Sequence, residues 1–161
     1  MQKVEHPFPP VVDAHSRILI LGSFPSVASR DEGFFYGHPR NRFWPMLASI
    51  FGEEIPTSIP EKQALLLRHH LALWDVIAAC RIEGSADSSI RDAVPVDIRR
   101  VLNAASIERI LCNGALSDKL YRQHLQPITG MDSIVLPSTS PANAAWNLSR
   151  LMNAWAPHIQ Y

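Results

Sequence analysis

Residues 22–47, GSFPSVASRDEGFFYGHPRNRFWPML, concentrate side chains that can do chemistry. Tyr36, with Phe34 and Phe35 beside it, offers flat faces on which a heterocycle could stack. The alternative for the two phenylalanines is that they fill the core beneath the loop. Arg40 and Arg42 flank Asn41 and could meet phosphates; as solvated surface charges they would be equally ordinary. Asn41 stands just before a helical pattern, where Asn is a favoured N-cap. Its amide could instead place a water or grip the edge of a base. The stretch lacks both GxGxxG and GxxxxGK[ST], so it is neither a dinucleotide fingerprint nor a Walker A loop. Ser23 and Ser26 have no recognisable His and Asp partners, which leaves a serine hydrolase as a weak reading.

A second polar group lies in LPSTSPANA, 136–144, with Ser138, Thr139, Ser140 and Asn143. Hydroxyls here can cap a helix that has Pro141 in its first turn. They can also meet a phosphate together with free backbone N–H groups at a helix start. The two roles are compatible. Asp75 closes the apolar run LALWD and could accept a hydrogen bond from a ligand or from its own loop.

Composition narrows the function classes. The chain has 161 residues, 47% hydrophobic and 19% charged, which fits one globular domain spanning 1–161. Fifteen basic and fifteen acidic residues balance, which argues against a bulk polyanion binder but leaves room for a local basic rim. Cys80 and Cys112 stand far apart in apolar settings and read as buried thiols. Two cysteines cannot ligate a usual iron–sulfur cluster, and there is no CxxC for zinc. The adjacent His69 and His70 read as a helix end. The expectation is therefore no metal and no cofactor. The N-terminal MQKVEHPFPPVVD has no apolar h-region, and no apolar run approaches ~18 residues. The expected protein is intracellular and cytoplasmic, with no membrane partner.

Elements that must position these residues can be read from hydrophobic period and punctuation. Residues 1–16 read as an extended lead-in. Strands are expected at 17–22, 71–78 and 108–114, with a fourth running from 133 into the polar loop. Helices are expected at 42–51, 59–70, 96–105, 115–125 and 142–155. The Ser-x-x-Glu spacing of SIPE, 58–61, marks a capping box. Residues 80–95 read as a loop. Strands alternating with helices imply an α/β fold: a three-layer α/β/α sandwich around a central, mainly parallel four-stranded sheet. Ligands in such folds sit beyond the carboxyl ends of the strands. Those ends feed segments 22–41, 75–90, 113–114 and 137–143, where the polar residues are.

LILGSFPS, Tyr36, HPRNRFW and VLPSTSPANA together resemble the uracil-DNA glycosylase superfamily, over roughly residues 8–155. LWDVI and GSADSSI are similar to segments of its hypoxanthine-DNA (deoxyinosine) glycosylase branch. The resemblance implies a base-excision repair enzyme that hydrolyses the N-glycosidic bond of a deaminated base flipped from DNA. It implies Asn41 as the catalytic residue. Ser23, Phe24, Tyr36 and Asp75 would contact the base. Arg40, Arg42, Ser138, Ser140, Ala142 and Asn143 would contact DNA. Phe24 stands where the mismatch-uracil branch has an Asn, and Ser138 where the best known uracil branch has a His, so two usual helpers are absent. No lysine is evidently placed as an amine nucleophile, which implies a monofunctional enzyme without strand cleavage. The expected state is a monomer acting on DNA with deaminated bases. A mismatch-type uracil glycosylase, a catalytically silent damaged-DNA binder and a small-molecule hydrolase are the rival readings.

Overall fold

The structure, a computed structural model, describes residues 2–161. Four short apolar runs form the central sheet: β2 (Ile18–Gly22), β3 (Leu71–Asp75), β6 (Arg109–Asn113) and β7 (Ser133–Leu136). They pair in the order β3-β2-β6-β7, and every pairing is parallel. Side chains of a strand alternate between faces. All five residues of β2 and of β3 are buried, so both faces of the sheet are covered. This is the expected α/β layering. Ile18 to Leu21 are wholly removed from solvent, each side chain contributing about 1.5–3 kcal/mol of apolar burial.

Helices supply that cover. Between β2 and β3 run α1 (Val27–Glu32), α2 (Phe43–Phe51) and α3 (Ile59–Arg68). The SIPE capping box is realised at its serine: Ser58 accepts the amide of Glu61, while the Glu61 carboxylate reaches past the cap to the amide of Thr57. Helix α5 (Ala115–His124) packs on β6 and β7 and anchors its Ser117 hydroxyl on the Leu21 carbonyl at 2.6 Å. The last helix, α7 (Leu148–Ile159), packs against α2, with the Trp155 and Phe43 rings 6.2 Å apart.

Several expectations are corrected. The run 71–78 is two strands, not one. Asp75 ends β3, Val76 donates its amide to the Gly22 carbonyl, and Ile77 opens β4 (Ile77–Ile82) in another sheet. The expected loop 80–95 contains the rest of β4, a 3₁₀ turn at Asp87–Ser89 and β5 (Arg91–Pro95). The lead-in contributes β1 (Gln2–Glu5), and an antiparallel sheet forms in the order β1-β4-β5. The helix expected at 96–105 shrinks to α4 (Arg99–Leu102), and α6 (Gln126–Thr129) is an additional turn. The helix expected from 142 begins at Leu148, capped by Asn147. The segment before it stays a loop: the Ser138 and Ser140 hydroxyls accept the amides of Ser140 and Ala142, and Asn143 turns its side-chain amide back to the Ser138 carbonyl.

Candidate active site

The carboxyl ends of β2, β3, β6 and β7 open into one cavity of about 330 Å³, within the range of small-ligand pockets. Its lining includes Ser23, Phe24, Tyr36, Asn41, Asp75, Ser138, Ser140 and Ala142. Eight of the eleven residues singled out in the sequence are thus brought together. Arg40, Arg42 and Asn143 are not among the lining residues. Phe34 and Phe35 are buried in an aromatic cluster with Phe8 and Trp44, which is the core-filling alternative.

Asn41 sits at the start of α2. Its side-chain oxygen accepts the Phe43 amide at 3.0 Å and the Thr139 hydroxyl at 2.9 Å. A backbone amide can only donate, so this end of the carboxamide must be oxygen. Both lone pairs are then occupied, and the NH₂ group is what Asn41 offers to the cavity. One side chain therefore serves both the helix start and the site.

Thr139, in the loop after β7, is fully buried and holds this arrangement in place. Its hydroxyl accepts from Asn113 Nδ2 at 3.0 Å, its own amide donates to Asn113 Oδ1 at 3.0 Å, and its carbonyl accepts the Arg42 amide at 3.1 Å. The Arg42 guanidinium is spent on the loop rather than displayed. It donates to the carbonyls of Ser140 at 2.9 Å and Asn143 at 3.2 Å. Asn143 in turn donates its side-chain amide to the Ser138 carbonyl at 3.0 Å. Ser138 and Ser140 hydroxyls accept the amides of Ser140 and Ala142. These bonds fix the loop against α2. Gly114, at φ +99°, lets Ser138 pack close: a Cβ there would lie 3.2 Å from the Ser138 Cβ.

Tyr36 has φ +55°, a left-handed conformation that costs a non-glycine residue energy and tends to mark functional sites. Its ring stacks on Phe43 at 4.2 Å between centroids. Burial and the nearby charge of Asp75 push its phenol well above the ordinary tyrosine range, so it stays protonated. Asp75 is buried and pairs through Oδ2 with His6 Nε2 at 2.7 Å.

Ser85 and Asp87 also line the cavity, and the sequence reading named neither as a site residue. The signal was present, since both lie in GSADSSI and in a strand-end segment. Their loop-like context hid the β4–β5 excursion that brings them in. The Asp87 carboxyl is raised above its ordinary range by burial, then by the charge of Asp75. His6 was missed as well. No group of three or more His, Cys, Asp or Glu among the described residues could hold a metal ion.

The pocket at the carboxyl edge of the parallel sheet thus brings together an oriented amide, a tyrosine with a buried hydroxyl and two carboxylates. The model of the Uracil DNA glycosylase superfamily matches residues 9–158, and the chain belongs to that superfamily. Two relatives are named hypoxanthine DNA glycosylase. The protein of Methanosarcina barkeri (strain Fusaro / DSM 804) is 36% identical over 92% of this chain and 94% of its own. That of Methanosarcina acetivorans is 34% identical over 91% and 93%. A solution NMR structure from Methanosarcina acetivorans, presented as a candidate uracil DNA glycosylase, superposes with a TM-score of 0.82. It is 32% identical and covers 98% of this chain and 97% of that one.

Proposed function

We propose that this protein is a monofunctional DNA glycosylase that releases hypoxanthine from DNA containing deoxyinosine. The observation that carries the reading is similarity over nine tenths of the chain to two hypoxanthine DNA glycosylases. The cavity is consistent with it, because Asn41, Tyr36, Phe24 and Ser138 all line it.

A base inside a duplex cannot reach a cavity, so the target nucleotide must swing out, which costs a few kcal/mol. That cost is smallest at a damaged or mismatched pair. Breaking the glycosidic bond develops positive charge on the sugar and negative charge on the departing base. Asp75 and Asp87 set a negative field at the cavity, which favours the sugar cation. The NH₂ of Asn41 donates. It stabilises charge on the leaving base or holds the oxygen of the attacking water; an amide cannot act as a base. Among the described residues no lysine lines the cavity, which supports water as the group that ends the reaction and leaves the strand intact. The enzyme works as a monomer on deaminated DNA, in the cytoplasm where nucleoid DNA lies, and needs no metal.

The test is incubation of purified protein, and of an Asn41→Ala variant, with labelled duplex carrying one deoxyinosine, followed by alkaline cleavage of abasic sites. Strand breaks that require alkali and are lost in the variant support the reading. Cutting only of a parallel uracil–guanine substrate moves the protein to uracil excision. Binding without turnover of either substrate makes it a damage sensor.

A further inference from the structure

Every proton in the bonds that hold Asn41 has a fixed direction. The backbone amides of Thr139 and Phe43 stand at the two ends, and a backbone amide can only donate. The Thr139 amide donates at 3.0 Å to one end of the Asn113 carboxamide, so that end is oxygen. The other end, 3.0 Å from the Thr139 hydroxyl, is then the NH₂. The hydroxyl receives a proton from Asn113 and has its own left to give. It gives it to Asn41, 2.9 Å away, whose oxygen is marked by the Phe43 amide at 3.0 Å. What remains at the end of the chain is the Asn41 NH₂, offered to the cavity.

The chain runs carboxamide, hydroxyl, carboxamide, and each group accepts at its oxygen and donates onward. Hydrogen bonds in series polarise one another where water is excluded. Thr139 is wholly buried, and Asn41 and Asn113 are half-buried. Electron density drawn toward the Asn41 oxygen leaves its N–H bonds more polar. An aspartate at 113 would accept the Thr139 amide equally well, but its second oxygen would take the hydroxyl proton instead. The chain would then run away from Asn41. The frame around it is firm. Asn113 is the last residue of β6, and the next amide, of Gly114, donates to the Leu136 carbonyl of β7 at 2.9 Å. The strand end that carries Asn113 is thus clamped to the strand that feeds the Thr139 loop.

We infer that Asn113 is a positioning residue of the reaction: through the Thr139 hydroxyl it sets the direction of the hydrogen bonds that present and polarise the Asn41 NH₂. This deepens the glycosylase reading above and rests on it. Asn113 acts on the reacting atoms only through Asn41. A more polar N–H gains most where negative charge develops, which happens in the transition state and not in the bound substrate. The relay therefore acts on the rate of bond cleavage more than on the affinity for DNA.

The test is single-turnover excision of deoxyinosine at saturating protein by the wild type, Asn113→Asp, Thr139→Val and the double variant. At about pH 8 the introduced carboxyl is ionised, and Asn113→Asp is expected to be about tenfold slower than the wild type. Protonation supplies an O–H that donates to the Thr139 hydroxyl again, so the deficit is expected to close to about twofold at about pH 5.5. Tyr36, His38, Asp75 and Asp87 share the cavity, and Arg42 is bonded to the Thr139 loop; their own titration cancels in the ratio to the wild type at each pH. Thr139→Val has no hydroxyl to receive the proton, so Asn113→Asp is expected to add less than about twofold there, at either pH. A change of charge alone would act in both backgrounds. An independent readout is the Asn41 side-chain NH₂ signal in nitrogen-15-labelled protein, identified by its absence from Asn41→Ala. Relative to the wild type it is expected to shift upfield in Asn113→Asp at the higher pH and to return on acidification. Circular dichroism checks folding. If Asn113→Asp unfolds, Asn113→Ala takes its place, with the same loss, the same lack of additivity with Thr139→Val and the same upfield shift expected. A deficit that adds fully to that of Thr139→Val, or an unmoved Asn41 signal, would overturn the relay while leaving the glycosylase standing. A wild type that releases no hypoxanthine, with the Asn41 signal shifting as expected, would overturn the glycosylase reading and keep the relay.

Discussion

The carboxamide oxygen of Asn41 and the hydroxyl of Thr139 meet at 2.9 Å, joining positions 98 apart in sequence. That bond, with the one from the Phe43 amide, fixes which end of Asn41 faces the cavity. Thr139→Val keeps the shape of the side chain but leaves Asn113 Nδ2 unpaired and Asn41 held by the Phe43 amide alone. Excision should fall about tenfold, equivalent to ~1.4 kcal/mol of barrier. Stability should fall by ~1–3 kcal/mol, the cost of an unsatisfied buried group. Thr139→Ser retains the hydroxyl and should keep most activity. Single-turnover kinetics and thermal melts check both numbers, and a fully active Val variant would remove Thr139 from the site.

Asn41→Asp separates a donor from a base. An aspartate at this position still accepts from Phe43 and Thr139, but presents an anionic oxygen where Asn41 presents NH₂. If donation is the role, the Asp variant loses activity like Asn41→Ala, by about 100-fold or more, as for the loss of one transition-state donor. Retained or raised activity in the Asp variant would instead assign proton acceptance from water to this position. Rates on deoxyinosine duplex across neutral pH distinguish the two.

The parallel sheet was legible because β2, β3 and β6 are continuous apolar runs closed by Gly22, Asp75, and Asn113 with Gly114. Burial on both faces requires that pattern. The small antiparallel sheet was not legible. In β1 no residue is buried and in β5 Arg91, Asp92 and Val94 are exposed, so hydrophobic alternation carries no signal. His6 was hidden for the same reason. It reaches Asp75, 69 positions away, only because β1 pairs with β4. The place of Asn41 at the cavity was legible, but its fixed orientation was not, since the partner sits in the fourth-strand loop. That loop was misread as a helix start because Ser, Pro and Asn serve local side-chain-to-backbone turns as readily as caps.

Glu53 offers a test of stability away from the cavity. Its carboxylate bonds to Arg68 and His69. The Arg68 bond first, then His69, lowers its pKa below the ordinary glutamate value. A lowered acid contributes stability above its unfolded value, and that stability is lost as pH falls through the folded value. Glu53→Gln should cost about 0.5 kcal/mol at neutral pH, because the side chain is 27% exposed and the pair is screened. The difference between variant and wild type should close below pH 4.5, the ordinary value. Urea titrations at neutral and acid pH measure it, and a difference that grows on acidification would contradict the sign.

Gly22→Ala tests whether the cavity floor is where the base sits. Gly22 does not need a left-handed backbone, so an alanine costs nothing in φ and the whole effect is steric. Its methyl would lie 2.3 Å from Asp75 Oδ1 and 2.9 Å from the Tyr36 hydroxyl, closer than real contacts allow. Asp75 is tied to His6 and Tyr36 is packed on Phe43, so neither can yield without breaking a contact. Overpacking of this kind costs ~1–3 kcal/mol, small enough to leave a folded protein. Excision should nevertheless fall at least 100-fold, because the methyl occupies the space the base edge must enter. Gly22 and Asp75 share this space, so their effects should be strongly non-additive. In Gly22→Ala/Asp75→Ala the clash with the carboxylate is gone, but the methyl still meets the Tyr36 hydroxyl and His6 loses its partner, so the double variant should be less destabilised than the sum of the two single variants and activity should stay low. Melting curves and single-turnover rates on the three variants measure this; wild-type excision by Gly22→Ala would move the base to another part of the cavity.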